Sequence, residues 1–182
     1  MMVPLIVPSM SAIAIAVTNT ELSNASSAKF LDAAVAAGIP RIPDLNTGDQ
    51  HGIATVQGTI RNGRRDSTAR GYLRAASRRP NLTIQTGATV SRILLDGTRA
   101  SAVEYDNGAG RSVSVQVGRE VILSASAIGS PQILLQSGIG DSAALKAVGV
   151  TPTHHLPGVG RNLHDHIFVH VQPRLKPAYP TL

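Results

Sequence analysis

The stretch from Val121 to Gly140, Val-Ile-Leu-Ser-Ala-Ser-Ala-Ile-Gly-Ser-Pro-Gln-Ile-Leu-Leu-Gln-Ser-Gly-Ile-Gly, constrains the fold more than any other part of the chain. Val121, Ile122 and Leu123 form a short apolar run of the kind expected in a strand covered on both faces. Ser124 to Ala127 then carry almost no side-chain bulk, so the backbone there can come close to a ligand. Ser130 suits an N-cap, Pro131 the first helical position, Ile133 and Leu134 an apolar face, and Gly138 a stop. The pattern predicts a buried strand running through tiny residues into a capped helix. Such a helix aims free N–H groups and its positive dipole end past the strand, which favours phosphate and so suits a dinucleotide.

Upstream, the periodicity is that of strands. Leu82 and Ile84, Val90 to Leu95, Ala100 to Tyr105, and Val113, Val115 and Val117 alternate along the chain, with Asp96-Gly97 and Asp106-Asn107-Gly108 as tight turns. Residues 81–124 therefore read as an antiparallel meander leading into Val121. Asn24 to Ala37 has helical spacing, with Phe30, Leu31, Ala34, Val35 and Ala37 near one side and Gly38 as its end. Ile39 to Gly58 is broken by Pro40, Pro43, Asn46, Gly48 and Gly52 and reads as a loop. A second helical piece at Ser142 to Val148 leads to Gly149, and Pro152 to Gly160 reads as a loop crossing between domains. The fold class is α/β to α+β.

The 182 residues suffice for one ordinary domain with a core. With 3% aromatic residues and no Trp, that core falls to Ala, Val, Ile and Leu. The absence of Cys excludes disulfides and thiolate metal sites. The formal charge of +6 is a local excess, because seven Arg lie between Arg61 and Arg79. A single-strand nucleic-acid platform would interleave aromatic rings with those charges, and only Tyr72 does so, which argues against a nucleic-acid partner. The simpler reading is a solvated helix capped by Ser67, with Arg70, Arg74 and Arg78 outside and Ala69, Tyr72, Leu73 and Ala76 on the opposite face.

Met1 to Val17 is apolar, yet no positive residue precedes it, Pro4 and Pro8 interrupt it, and it is too short to span a bilayer. Ala12-Ile13-Ala14 and Ala14-Ile15-Ala16 resemble small-residue cleavage patterns, but a strand or an interior piece explains the segment as well. We therefore expect a cytoplasmic protein with no membrane partner.

Two motifs compete for chemistry. Gly138-Ile139-Gly140-Asp141-Ser142-Ala143 fits the form G-x-G-x-x-A, but the residues before it read as helix and no acid follows near the twentieth position. His164, His166 and His170, with Asp165 and the nearby His154 and His155, suggest a metal. On a strand-like segment the three imidazoles share a face without converging, so no metal site is assigned.

Ser126, Ala127, Ser130, Pro131, Ile133, Leu134, Ser137, Gly138, Ile139 and Gly140 stand at the spacing of a signature of the glucose–methanol–choline (GMC) oxidoreductases, which this chain resembles. Ser126 falls where Gly is more usual. The resemblance extends through Asn62-Gly63-Arg64-Arg65-Asp66-Ser67, Arg79-Pro80-Asn81-Leu82-Thr83 and Leu156-Pro157-Gly158-Val159-Gly160-Arg161-Asn162-Leu163-His164-Asp165-His166. It implies FAD as cofactor and a small-molecule alcohol, oxidised at CH–OH, as substrate. It also implies part of an FAD-binding domain with an antiparallel meander, followed by the start of a substrate domain. By the same resemblance Val90 lies against the adenine, Ser124, Ala125 and Ser126 approach the adenosine part, and Asn162, Asp165 and His166 are buried polar residues fixing a loop beneath the flavin. The implied domains are residues 1–60 in the substrate or cap region, 61–150 in the FAD-binding domain, and 151–182 crossing into the substrate-binding domain. The family's Gly-rich FAD turn and its catalytic His are not recognisable here, so no catalytic residue is carried over. A central fragment, inactive alone, is expected; a non-catalytic interaction module or a gene fragment that retained this segment is the rival.

Overall fold

Residues 15–20 and 25–170 are described by the computed structural model of the chain. The expectations for Met1 to Ala14 and for a helix start at Asn24 lie outside them. The chain divides into two compact units, residues 1–84 with 171–182, and residues 85–170.

In the first unit, β1 (Thr18–Asn19) pairs antiparallel with β2 (Gln57–Gly58). Between them runs α1 (Ala25–Ala36), ended by Gly38 at φ 91°, where the Ile39 amide donates to the Ala34 carbonyl and the Gly38 amide to Val35. This is a Schellman stop, and it needs the positive φ that Gly provides without strain. Of the apolar side predicted for α1, Leu31 alone is buried, while Phe30 and Val35 stay exposed.

A hairpin of β3 (Ile60–Arg61) and β4 (Arg64–Arg65) turns through Asn62 and Gly63 at φ 52° and 68°. Positive φ at both central residues is what a two-residue turn matching strand twist requires, and Asn-Gly is the dipeptide that tolerates it best. Asp66 follows, buried, its Oδ2 accepting from the Ala16 amide and from Arg61 Nε, both at 2.8 Å. The Ala16 hydrogen bond, aided by the Arg61 guanidinium, holds this carboxyl below the usual carboxylate range.

The helix expected after Ser67 forms differently. A π-helical turn, Ala69–Leu73, runs into α2 (Arg74–Ala76), with Thr68 as a cap lacking a side-chain bond. Ser67 contributes only its carbonyl, to the amides of Arg70 and Gly71. The wider π turn breaks the predicted face: Gly71 is buried, whereas Tyr72 and Leu73 are 45% and 42% exposed.

In the second unit β5 (Thr89–Asp96), β6 (Arg99–Asp106) and β7 (Ser112–Gln116) form the predicted antiparallel meander, Ile93 opposite Val103 and Val103 opposite Val115. Both turns match their sequence signals: Gly97 adopts φ 58°, and Asp106 Oδ1 accepts from the Gly108 amide at 2.7 Å. The register shifts between Val90 and Arg92, and Ser91 Oγ there donates to the Glu104 carbonyl at 3.1 Å.

The strand predicted at Val121 to Leu123 does not form, and Ile122 is 78% exposed. A covered strand needs neighbours on its edges, and no described residue pairs with these three. The helix α3 (Ser126–Gln136) also begins four residues before the expected cap. Ser126 takes φ 72° and turns the chain into the helix early, so Pro131 lies inside it, at the cost of the amide that the Ala127 carbonyl would have received. Ser130 Oγ instead accepts from the Ala125 amide at 2.9 Å.

The end of α3 is tied down by Ser137. Its buried hydroxyl donates to the Ile133 carbonyl at 2.6 Å and accepts from the Ile93 amide at 2.8 Å, joining α3 to β5. Thr153 Oγ donates to the Ser137 carbonyl at 2.9 Å. Gly138, at φ 80°, has no room for a side chain, since a Cβ would stand 2.5 Å from the Thr151 carbonyl. Beyond it β8 (Ile139–Gly140) pairs parallel with β9 (His154–His155) around α4 (Ser142–Ala147). Ile93, Ala102, Ile133 and Leu145 form the buried apolar core of this unit.

Candidate cofactor site

The N-terminal end of α3 combines three properties that a nucleotide site uses. Ser124, Ala125 and Ser126 are exposed, and none has a side chain long enough to keep a ligand from the backbone. Ala125, the cap residue, makes no side-chain bond to the first-turn amides, which are left to solvent or ligand. Ser126 holds a left-handed backbone, and this explains why a Gly is more usual there: the position requires positive φ.

Val90 sits half-buried on β5 opposite Tyr105, next to the Ser91 irregularity. The Ser137–Ile93 hydrogen bond fixes α3 against β5 three residues further along that strand. Asn162, at φ 57°, lines a cavity of about 810 Å3 together with Ala127, Ile128 and Pro131 of α3 and Leu145 and Val148 of α4. That cavity brings Asn162 beside the first half of α3. Asp165, His166 and Val90 do not line it. Asn162, Asp165 and His166 are exposed rather than enclosed, and Asp165 Oδ1 accepts from the His166 amide at 2.7 Å.

The rival motifs resolve differently. Gly138 leaves a helix, not a strand, and the space beside its Cα is filled by Thr151 and Thr153. Asp141, the acid of that motif, caps α4 by accepting from the Ala144 amide at 2.9 Å. This bond, with the charges of His155 and Arg161 nearby, holds its carboxyl below the ordinary range. His155 Nδ1 lies 3.1 Å from the Ser142 amide and 3.0 Å from Ser142 Oγ. Among the described residues no three His, Asp or Glu side chains group so as to hold a metal.

Sequence reasoning missed Ser137 as a tether and Asp66 as an anchor, though both stand in the motifs quoted above. Nothing in their spacing announces the distant partners, Ile93 and Ala16, that give them their roles. The Asn62-Gly63 hairpin was legible from the dipeptide itself.

The sequence profile described as GMC oxidoreductase matches residues 7–168. An oxygen-dependent choline dehydrogenase of Ectopseudomonas mendocina is 50% identical over 145 residues, covering 79% of this chain and 26% of that protein. One from Citrobacter koseri is 47% identical over 158 residues, covering 84% and 28%. The chain thus spans about a quarter of the length of the curated relatives it matches. Among solved structures, pyridoxine 4-oxidase from Mesorbium loti superposes with a TM-score of 0.71 at 32% identity, over 78% of this chain and 28% of that one. An FAD-dependent oxidoreductase from Chaetomium thermophilum gives 0.70 at 29% identity, over 79% and 25%. The mixed α/β fold is that of part of an FAD-binding domain. With nearly its whole length matched by the profile, the chain belongs to the GMC oxidoreductases, a family of FAD-dependent flavoproteins.

Proposed function

We propose that this chain supplies the adenosine-side wall of the FAD site of a GMC enzyme that oxidises the CH–OH group of a small alcohol, and that it does not oxidise the alcohol by itself. The observation that carries this reading is the run Ser124-Ala125-Ser126, exposed and nearly free of side chain, at the amide end of α3 with Ser126 at φ 72°. Those residues fit a nucleotide pressed against the backbone. Val90 offers its main chain to the adenine. Asn162, Asp165 and His166 order the loop that passes on toward the flavin ring. FAD, when bound, supplies the acceptor for hydride. Residues 61–150 belong to the FAD-binding domain, 1–60 to the substrate or cap region, and 151–182 lead into the substrate-binding domain. The names of the relatives make choline the first alcohol to assay. The protein works in the cytoplasm.

The purified 182-residue chain, assayed with choline and passed over a desalting column with FAD, is expected to show no alcohol oxidation and to retain little flavin. Robust turnover with flavin bound contradicts the proposal.

A further inference from the structure

The arginines of Arg61–Arg79 are unused by the flavin reading. That stretch carries seven Arg and one acid, Asp66, so it accounts for the whole +6 of the chain. Asp66 is buried and engaged by Arg61. Arg70 reaches the Arg65 carbonyl at 3.2 Å, which holds the β3–β4 hairpin against the helical run. Arg64, Arg65, Arg74, Arg78 and Arg79 are exposed, and among the described residues no carboxylate forms an ion pair with them.

Tyr72 and Leu73 stand among these charges, exposed by the π turn instead of packed inward. A merely solvated basic face would keep such side chains inside. A nucleic-acid platform would present several rings for bases to stack on, and here there is one. Guanidinium groups for phosphates, beside a short aromatic and aliphatic anchor, are what the interface of an anionic bilayer selects. Charge complementarity and the exposed pair point to the same partner.

We infer that the surface formed by the β3–β4 hairpin and residues 69–79 docks on anionic lipid bilayers. Arg64, Arg65, Arg74, Arg78 and Arg79 meet lipid phosphates, and Tyr72 and Leu73 enter the headgroup layer. The attachment is peripheral, as no described helix is long and apolar enough to cross a membrane. This revises the expectation of no membrane partner, which assumed that Tyr72 and Leu73 pack inward. It is independent of the flavin proposal.

The test is co-sedimentation of the 182-residue chain with vesicles of phosphatidylcholine alone or mixed with phosphatidylglycerol. Binding is expected to the mixed vesicles only, and to be reversed by high salt. Each arginine removed should lower partitioning roughly five-fold, so Arg74→Gln, Arg78→Gln and Arg79→Gln together should lower it about a hundred-fold. Far-UV circular dichroism checks that this variant keeps its fold, and if it does not, the salt dependence of the unaltered chain decides the point. Tyr72→Ser with Leu73→Ser should weaken binding as well. Absence of binding to phosphatidylglycerol vesicles, binding indifferent to salt, or undiminished binding of a folded triple variant overturns the inference. So does duplex DNA that binds more tightly than the vesicles and is unaffected by the Tyr72 and Leu73 changes.

Discussion

Ser126 shows how a single residue can carry both a family's geometry and a departure from it. Its φ of 72° costs a non-glycine residue about 1 kcal/mol or more, and the hydroxymethyl group has no bonded partner to offset it. Ser126→Gly should therefore stabilise the second unit by about 1 kcal/mol in urea unfolding, less whatever the freer unfolded chain takes back. A loss of stability would mean that the side chain has a role not visible in its contacts. The small size of Ser124 to Ala127 was legible in the sequence, because bulk is a property of the residue alone. The left-handed turn was not, because backbone conformation at a Ser is set by its neighbours.

At the level of elements, patterns with local causes were read correctly and those with distant causes were not. The β5–β7 meander, α1 and α4 follow from alternation, helical spacing and Gly or Asx signals lying within a few residues of one another. The strand at Val121 needed partners that no local pattern supplies, and the π turn at Ala69–Leu73 overrode a plausible helical face. The start of α3 moved for the same reason, leaving Ser130 and Pro131 inside it. The junction of α3 with β5 depends on the Ser137 hydroxyl, which satisfies the Ile93 amide in a buried position. Ser137→Ala removes that acceptor and should destabilise the unit by about 1–3 kcal/mol, with Ile93 losing amide-exchange protection. Protection of Ile93 unchanged in the variant would show that β5 is held by other contacts.

On the scale of the whole molecule, the described core is small, and many large apolar residues stay exposed, Ile122, Leu163, Ile167, Phe168 and Val169 among them. Apolar surface of this extent marks places where other polypeptide or a ligand is expected to lie. It agrees with a chain that spans about a quarter of its relatives' length and supplies one wall of a cofactor site instead of a complete one. The candidate residues are accordingly spread out: Ser124 to Ser126 and Asn162 meet along α3, while Val90, Asp165 and His166 lie apart from that cavity. The most direct test restores the missing context. In a chimera, this chain replaces the matched 145 residues of the Ectopseudomonas mendocina choline dehydrogenase, and the flavin-to-protein absorbance ratio is measured after desalting, with and without Ala125→Leu. The chimera should retain flavin, and Ala125→Leu should raise the FAD dissociation constant at least about ten-fold, equivalent to about 1.4 kcal/mol, with the fold preserved. A folded Ala125→Leu chimera that keeps its flavin undiminished would contradict the account.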